Sequence, residues 1–245
     1  MDSDDEPLTL SAATLVALQQ FKQEDESRRQ EFDKLFQQLE ENFAGRRQFS
    51  IDQFKEDWQL SQFWYSDDTA DTLALALLEG ADENTIVCIA SAPAVYAAVT
   101  RIPEDELPTK HIYLLDFDNR FQVMAGKNHF FHYNYNTPDK VPAELRSKCH
   151  RLLIDPPFLE PECQTKSAQA VRNLLVKDER QTTKTGDKLW KLVTCTGERM
   201  REIVAETYPE TRPTLFLPQH KNGLSNEFRC YASFEGKYWS FDSTV

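Results

Sequence analysis

The chain has 245 residues, 40% of them hydrophobic, and a formal net charge of −12 at pH 7. This length and apolar content are enough for one large domain with an extension. Proteins that grip nucleic acid normally carry a basic face, so the acidic balance argues against direct nucleic-acid binding and favours a basic protein partner or a small molecule.

The apolar runs and the cysteines indicate whether the chain enters a membrane and which compartment suits it. No stretch approaches the run of about 20 apolar residues that a membrane-spanning helix needs. The opening segment "MDSDDEPLTL" is acidic and lacks the basic and apolar regions of a signal peptide. The five cysteines are scattered, with no CxxC pair, which is typical of reduced thiols and argues against a zinc cluster. We therefore expect a cytoplasmic protein with no membrane partner and no metal site.

The N-terminal part differs in pattern from the rest. Residues 1–10 predict an acidic disordered tail, and residues 11–50 predict a helical extension. The clearest helical signal is an apolar stripe at spacings of three and four residues, formed by Phe32, Leu35, Phe36, Leu39 and Phe43. This stripe predicts packing against the main domain, and binding of a partner helix is the alternative.

Residues 51–245 alternate strand and helix signals. The predicted strands are 85–90, 111–118, 129–136, 149–155, 188–197, 214–218 and 227–234. The predicted helices are 68–80, 92–102 and 164–177, and the polar segment 177–188 predicts a surface loop. Near-continuous apolar strands separated by helices indicate an α/β fold with a mostly parallel sheet covered on both faces. The last two strands have no predicted helix between them, which indicates an antiparallel edge.

Ligands of open α/β sheets bind beyond the carboxyl ends of the strands, so each strand end was considered as a site. After the first strand, Ser91, Ala92 and Pro93 stand where a nucleotide-binding turn usually has glycines. Alone this signal is weak, and an ordinary turn capped by Ser91 is the alternative. After the second strand, Asp116 or Asp118 could accept hydrogen bonds from ribose hydroxyls. Asp116 is favoured because it directly continues the buried run.

The third predicted strand ends in polar residues. Asn134, Tyr135 and Asn136 could bind an adenine edge or cap a turn. Pro138 follows closely, which favours the turn for Asn136.

The fourth strand ends in the corner Asp155-Pro156-Pro157-Phe158. A carboxylate held by rigid prolines beside an aromatic ring suits methyl transfer to an amine. Asp155 and the Pro156 carbonyl can accept the amine hydrogens and orient the lone pair, and Phe158 can pack on the group that carries it. Asp155 can also stabilise the positive charge that develops on nitrogen. The alternative is that two prolines simply end a strand.

These residues carry a family resemblance. "DPPF" resembles the (D/N)PP(Y/F/W) motif of methyltransferases that modify amino nitrogens. "WQLSQFWYS" (58–66), "SAPAVY" (91–96), "FDNRF" (117–121) and "NEFRCY" (226–231) together resemble the eukaryotic elongation factor 1A lysine methyltransferases. Members of that family were earlier described as putative adenine-N6 DNA methyltransferases because of the motif. The resemblance runs from about Asp57 to Phe234.

The resemblance implies a Rossmann-like, seven-strand class I methyltransferase fold with the last strand antiparallel. It implies S-adenosylmethionine as cofactor and a lysine of elongation factor 1A as target. The implied catalytic corner is Asp155, Pro156, Pro157 and Phe158. The implied cofactor residues are Ser91, Ala92, Pro93 and Asp116, with Asn134 beside them. Phe63, Trp64 and Tyr65 would line the cofactor or lysine channel. We expect one or two of these three to reach the site, and Tyr65 is favoured because a buried hydroxyl needs a polar partner. The alternative is core packing between the N-terminal helix and the sheet.

The sequence therefore predicts a protein-lysine methyltransferase that uses direct displacement. Because an ionised carboxylate would hold the target lysine charged, we expect Asp155 to orient the amine rather than act as a simple base. Two alternatives stay open at this point: adenine-N6 methylation of nucleic acid, and a non-catalytic binding module with a degenerate cofactor turn.

Overall fold

A computed structural model describes residues 49–224 and 226–244, together with a few isolated positions between residues 16 and 27. The predicted tail at 1–10 and almost all of the predicted helical extension at 11–50, with its apolar stripe, lie outside the described residues. The expected start of the methyltransferase domain at residue 51 stays a prediction.

Seven strands of the described part form one sheet in the order β3-β2-β1-β4-β5-β7-β6. Their bounds are β1 (Val87–Ala90), β2 (Ile112–Asp116), β3 (Phe130–His132), β4 (Arg151–Ile154), β5 (Lys191–Gly197), β6 (Arg212–Pro213) and β7 (Phe228–Ala232). Strands β1 to β5 pair in parallel, and β7 lies antiparallel between β5 and β6. This topology confirms the α/β fold and the antiparallel last strand expected from the sequence.

Helix α1 (Asp67–Leu78) precedes β1. The helices between the strands are α2 (Pro93–Arg101), α3 (Gln122–Ala125), α4 (Pro161–Leu174) and α5 (Arg201–Thr207). Helix α1 begins after Ser66, whose hydroxyl accepts the Thr69 N–H. Helices α2 and α4 each begin with a proline, which fits the first helical turn. Every residue of β1, β4 and β5 is buried, so both faces of the central sheet are covered. None of the described helices is long and apolar enough to cross a membrane.

Three details differ from the sequence-based prediction. The sixth strand was expected at 214–218, but β6 is Arg212–Pro213, and the side chains of Leu215 and Leu217 are largely exposed. The apolar run at 214–218 lies outside the sheet. Its two leucines face outward, and Phe216 between them stacks on Trp239. Strand β3 stops at His132, since the chain turns after it. The sequence pattern predicts neither of the short helices α3 and α5.

The amino end of β4 is anchored by a buried arginine. The Arg151 side chain is fully buried and donates to four backbone carbonyls, those of Leu77, Glu79, Lys188 and Leu189, at 2.8–3.3 Å. Burial lowers the pKa of Arg151 to about 10, and the nearby Asp187 opposes that shift. The guanidinium thus joins the end of α1 to the segment that leads into β5.

We predict that Arg151→Met lowers the free energy of unfolding by about 3–5 kcal/mol, because several buried carbonyls lose their donor. Urea denaturation would measure the loss. The control is Arg180→Met, since the Arg180 side chain is 93% exposed, and it should stay within about 0.5 kcal/mol of wild type. A loss below about 1 kcal/mol for Arg151→Met would show that the clamp is dispensable.

Candidate active site

A cavity of about 920 Å³ opens at the carboxyl ends of the parallel strands. This volume lies within the range of roughly 300–1,000 Å³ typical of small-molecule sites. The structure brings every predicted site residue to its lining: Phe63, Trp64, Tyr65, Ser91, Ala92, Pro93, Asp116, Asn134, Asp155, Pro156, Pro157 and Phe158.

The turn after β1 has an unusual backbone. Ser91 adopts a left-handed conformation with φ of +53°, and its N–H donates to the Leu115 carbonyl at 2.8 Å. Such a φ costs a non-glycine residue about 1–2 kcal/mol, so the surrounding fold must hold it. Ala92, not Ser91, is the N-cap of α2, and no side chain caps that helix. Ser91 therefore does not cap the helix, and a cofactor role for this turn stays a prediction.

The two acids after β2 differ in their surroundings. Asp118 is held by Arg120 at 2.6 Å and by the Gln62 amide at 3.0 Å, and it is not part of the cavity lining. Asp116 lines the cavity and is otherwise buried, and its Oδ1 accepts the Asp118 N–H at 2.9 Å. The Phe117 backbone N–H also donates to this carboxyl group and favours its ionised form. The geometry therefore favours Asp116 over Asp118 for contact with a ligand.

After β3 the chain makes a tight turn. The Asn134 side-chain oxygen accepts the Asn136 N–H at 2.9 Å, and the Asn134 carbonyl accepts the Thr137 N–H at 3.0 Å. Asn134 thus caps the turn with its oxygen while it lines the cavity. Asn136, which the sequence assigns to the turn, contributes its backbone N–H to that turn. Its side-chain oxygen accepts a hydrogen bond from the Lys166 ammonium group at 3.1 Å.

At the end of β4, a carboxylate meets a tyrosine from 90 residues earlier in the chain. The Tyr65 hydroxyl donates to Oδ2 of Asp155 at 2.5 Å. Burial, then the charge of Asp155, raises the pKa of Tyr65 well above its usual value, so the hydroxyl stays protonated and remains a donor. Oδ1 of Asp155 makes no hydrogen bond within the described residues, so one carboxylate oxygen is fixed and the other can accept from a ligand.

The rest of the "DPPF" corner is held by its neighbours. The Gln164 side chain donates to the Phe158 carbonyl at 3.4 Å and to the Thr196 hydroxyl at 3.0 Å. Arg199 donates to the Leu159 carbonyl at 2.9 Å. The Phe158 ring meets Tyr135 edge-on with centroids 5.8 Å apart. The corner is thus braced from α4, β5 and the segment after β5.

In the aromatic run before α1, Trp64 and Tyr65 have different roles. The Trp64 indole N–H donates to the Phe54 carbonyl at 2.9 Å, and its ring packs edge-on against Phe121. Trp64 therefore packs mainly in the core while it borders the cavity. The Tyr65 hydroxyl instead reaches Asp155 and donates a hydrogen bond to it, in agreement with its need for a polar partner.

Sequence reasoning missed His220, and it did not place Phe228 in the site. Both line the cavity from the side of β7, and the His220 ring lies 4.8 Å from the Tyr65 ring. His220 follows an apolar run in a loop and has no periodic neighbours. The motif "NEFRCY" marked the start of β7 but gave no reason to single out Phe228.

Both cavity acids are shifted towards their neutral forms. Burial raises the pKa of Asp155 to about 7, and the hydrogen bond from Tyr65 partly opposes this. Burial likewise raises the pKa of Asp116 to about 7, against the opposing hydrogen bond from the Asp118 N–H. Perturbed acids in one cavity are typical of functional sites, where burial is tolerated because the groups meet a ligand.

The chain matches a family model described as "Probable N6-adenine methyltransferase" over residues 56–236. It is 53% identical to Protein-lysine N-methyltransferase EFM5 of Saccharomyces cerevisiae, over 96% of this chain and 95% of that protein. It is 35% identical to EEF1A lysine methyltransferase 1 of Gallus gallus, over 96% and 98% of the two chains. The Homo sapiens protein of that name is 34% identical, over 95% and 94%.

A solved structure shares the fold. The branched-chain polyamine synthase of Thermus thermophilus superposes with a TM-score of 0.52 at 12% identity. The match covers 74% of this chain and 60% of that chain. At this identity the likeness shows the fold alone.

We predict that the buried acids make stability fall as pH rises. Asp155 has its ordinary pKa near 3.8 when unfolded and about 7 when folded, so the folded state binds its proton more tightly. Its contribution is full below pH 4 and is lost as pH rises to about 7. Asp155→Asn should therefore gain about 2–4 kcal/mol relative to wild type between pH 4 and pH 8.

Urea denaturation across that pH range would measure this gain. The control is Asp105→Asn, an exposed acid in a surface turn. Parallel stability curves for wild type and Asp155→Asn would contradict the prediction.

Proposed function

Because the chain belongs to the family of protein-lysine N-methyltransferases that includes EFM5 and EEF1A lysine methyltransferase 1, we propose that it methylates a lysine of translation elongation factor 1A. The observation that carries this proposal is the Asp155 carboxylate at the cavity, with one oxygen held by Tyr65 and the other able to accept from an amine.

The proposed cofactor is S-adenosylmethionine, which supplies an electrophilic methyl group on a positively charged sulfur. The residues present fit it. The turn of Ser91, Ala92 and Pro93 lets the backbone approach a ligand, and Asp116 offers an acceptor oxygen to ribose hydroxyls. Asn134 borders the same side, where the ends of β1, β2 and β3 meet.

Asp155 would orient the target amine. Its Oδ1 and the Pro156 carbonyl accept amine hydrogens and so direct the nitrogen lone pair, which is the positional part of catalysis. Phe158 packs on the lysine stem. The carboxylate then stabilises the positive charge that develops on nitrogen. A free lysine has a pKa near 10.4, and burial in this cavity would lower it so that the amine loses its proton before attack.

Charge and cysteine chemistry support the substrate and the compartment. A chain with a net charge of −12 suits a basic protein substrate better than a polyanion. All five cysteines are free and buried in the fold, as expected of a protein in the reducing cytoplasm.

The rival function is adenine-N6 methylation, which the description of the family model favours. The same corner could hold the amino group of a flipped adenine. That reaction also needs a basic groove for the nucleic-acid strand, which the charge balance opposes.

We expect the purified protein and radiolabelled S-adenosylmethionine to label one band of a lysate that lacks the endogenous enzyme, at the size of elongation factor 1A. The label should resist nuclease and map to lysine by mass spectrometry. Asp155→Ala should lose at least about 100-fold of the rate, because the amine loses its acceptor. Label that disappears with nuclease would establish the adenine reaction instead.

We also predict that Asp116→Asn weakens S-adenosylmethionine binding by about 10- to 100-fold, since an anionic acceptor for the ribose hydroxyls is lost. Isothermal titration calorimetry would measure the dissociation constant. Asp105→Asn again serves as the control. An unchanged constant for Asp116→Asn would place the ribose elsewhere.

A further inference from the structure

One wall of the cavity has a cluster of aromatic rings on the side of β7. The His220 ring lies 4.8 Å from the Tyr65 ring, and it meets the Phe228 ring edge-on at 4.5 Å. All three residues line the cavity. The cluster adjoins the catalytic corner directly, because the Tyr65 hydroxyl donates to Asp155.

The backbone on both sides of His220 is pinned to the segment before α1. Tyr65 and His220 form an antiparallel bridge. The Ser66 N–H donates to the Gln219 carbonyl, and the Lys221 N–H donates to the Trp64 carbonyl, both at 2.8 Å. His220 is thus held at a fixed position over Tyr65, as a residue that orients a substrate must be.

The strand order divides the cavity into two halves. The proposed cofactor residues follow β1, β2 and β3, on one side of β4. Phe228 begins β7, on the other side of β4, and His220 lies in the loop before it. Asp155, at the end of β4, stands between the halves. The half of the cavity on the β7 side, away from the proposed cofactor residues, is therefore lined by His220 and Phe228.

His220 retains its hydrogen-bonding capacity. Within the described residues, its ring nitrogens make no hydrogen bond. Burial lowers the pKa of His220 to about 4, with Glu56 partly opposing, so the ring is neutral at physiological pH. A neutral imidazole presents one acceptor nitrogen, and it adds no positive charge beside a cationic substrate.

We infer that His220 is a binding residue for the substrate amine, and that one of its ring nitrogens accepts an N–H of the lysine while Asp155 accepts another. This inference rests on the proposed function. A neutral amine has two hydrogens and one lone pair, so in this arrangement His220 takes the second hydrogen in place of the Pro156 carbonyl. Two acceptors on different sides then fix the direction of the lone pair. Tyr65 and Phe228 then enclose the aliphatic stem of the lysine with apolar ring surface.

The test compares two substitutions of the same residue. His220→Phe keeps the ring contacts with Tyr65 and Phe228 but removes the acceptor, and it should lower kcat/KM for the lysine substrate by about 10- to 100-fold. His220→Gln keeps an acceptor and should recover activity to within about fivefold of wild type. His111→Phe, at an exposed site away from the cavity, is the matched control.

Cofactor affinity separates a substrate role from a structural one. Calorimetry should give both His220 variants a dissociation constant for S-adenosylmethionine within about twofold of wild type. Wild-type kcat/KM in His220→Phe would overturn the inference and leave the proposed function intact. Weakened cofactor binding in both variants, without recovery by glutamine, would also overturn it. A wild-type protein that labels no lysine would refute the proposed function itself.

Discussion

The hydrogen bond from Tyr65 to Asp155 is the contact on which the candidate site depends. It joins the segment before α1 to the end of β4 and fixes one oxygen of the carboxylate. The same tyrosine pairs through its backbone with His220, which brings the loop before β7 to the cavity. Three regions distant in sequence therefore converge on one carboxylate. Because Tyr65 occupies one of its oxygens, the other oxygen remains for a ligand.

Strand β4 begins with the buried Arg151 and is followed directly by the partly buried Asp155, and the two ionisable groups have different surroundings. Arg151 makes four hydrogen bonds to backbone carbonyls, so its charge is well compensated and serves stability. Asp155 has a single side-chain partner among the described residues, and burial raises its pKa to about 7. Asp116 shows the same shift. A fold that leaves two buried carboxylates partly satisfied gives up stability where it binds its ligand, which is common at active sites.

Much of this arrangement could be predicted from the sequence. The buried strands are short apolar runs, and each run ends at the residue that lines the cavity, so Asp116 and Asp155 could be found. The burial of Tyr65 implied a polar partner for its hydroxyl. His220 could not be found, because its role depends on backbone pairing with a segment about 150 residues earlier in the chain. The predicted strand at 214–218 was wrong, because apolar content alone predicts a strand whereas the leucines of this run face solvent.

The edges of the sheet determine how a protein partner can approach. One edge strand, β3, has three residues, and the other, β6, has two. The outer side of β6 is already covered, because the Leu215 N–H donates to the Ser240 carbonyl and the Asp242 N–H donates to the Pro213 carbonyl. Within the part of the chain that the structure describes, neither edge offers a long stretch of free backbone to which an extended peptide could add as a further strand. Strand addition at these edges is therefore not the way in which a protein substrate would bring its lysine to the cavity.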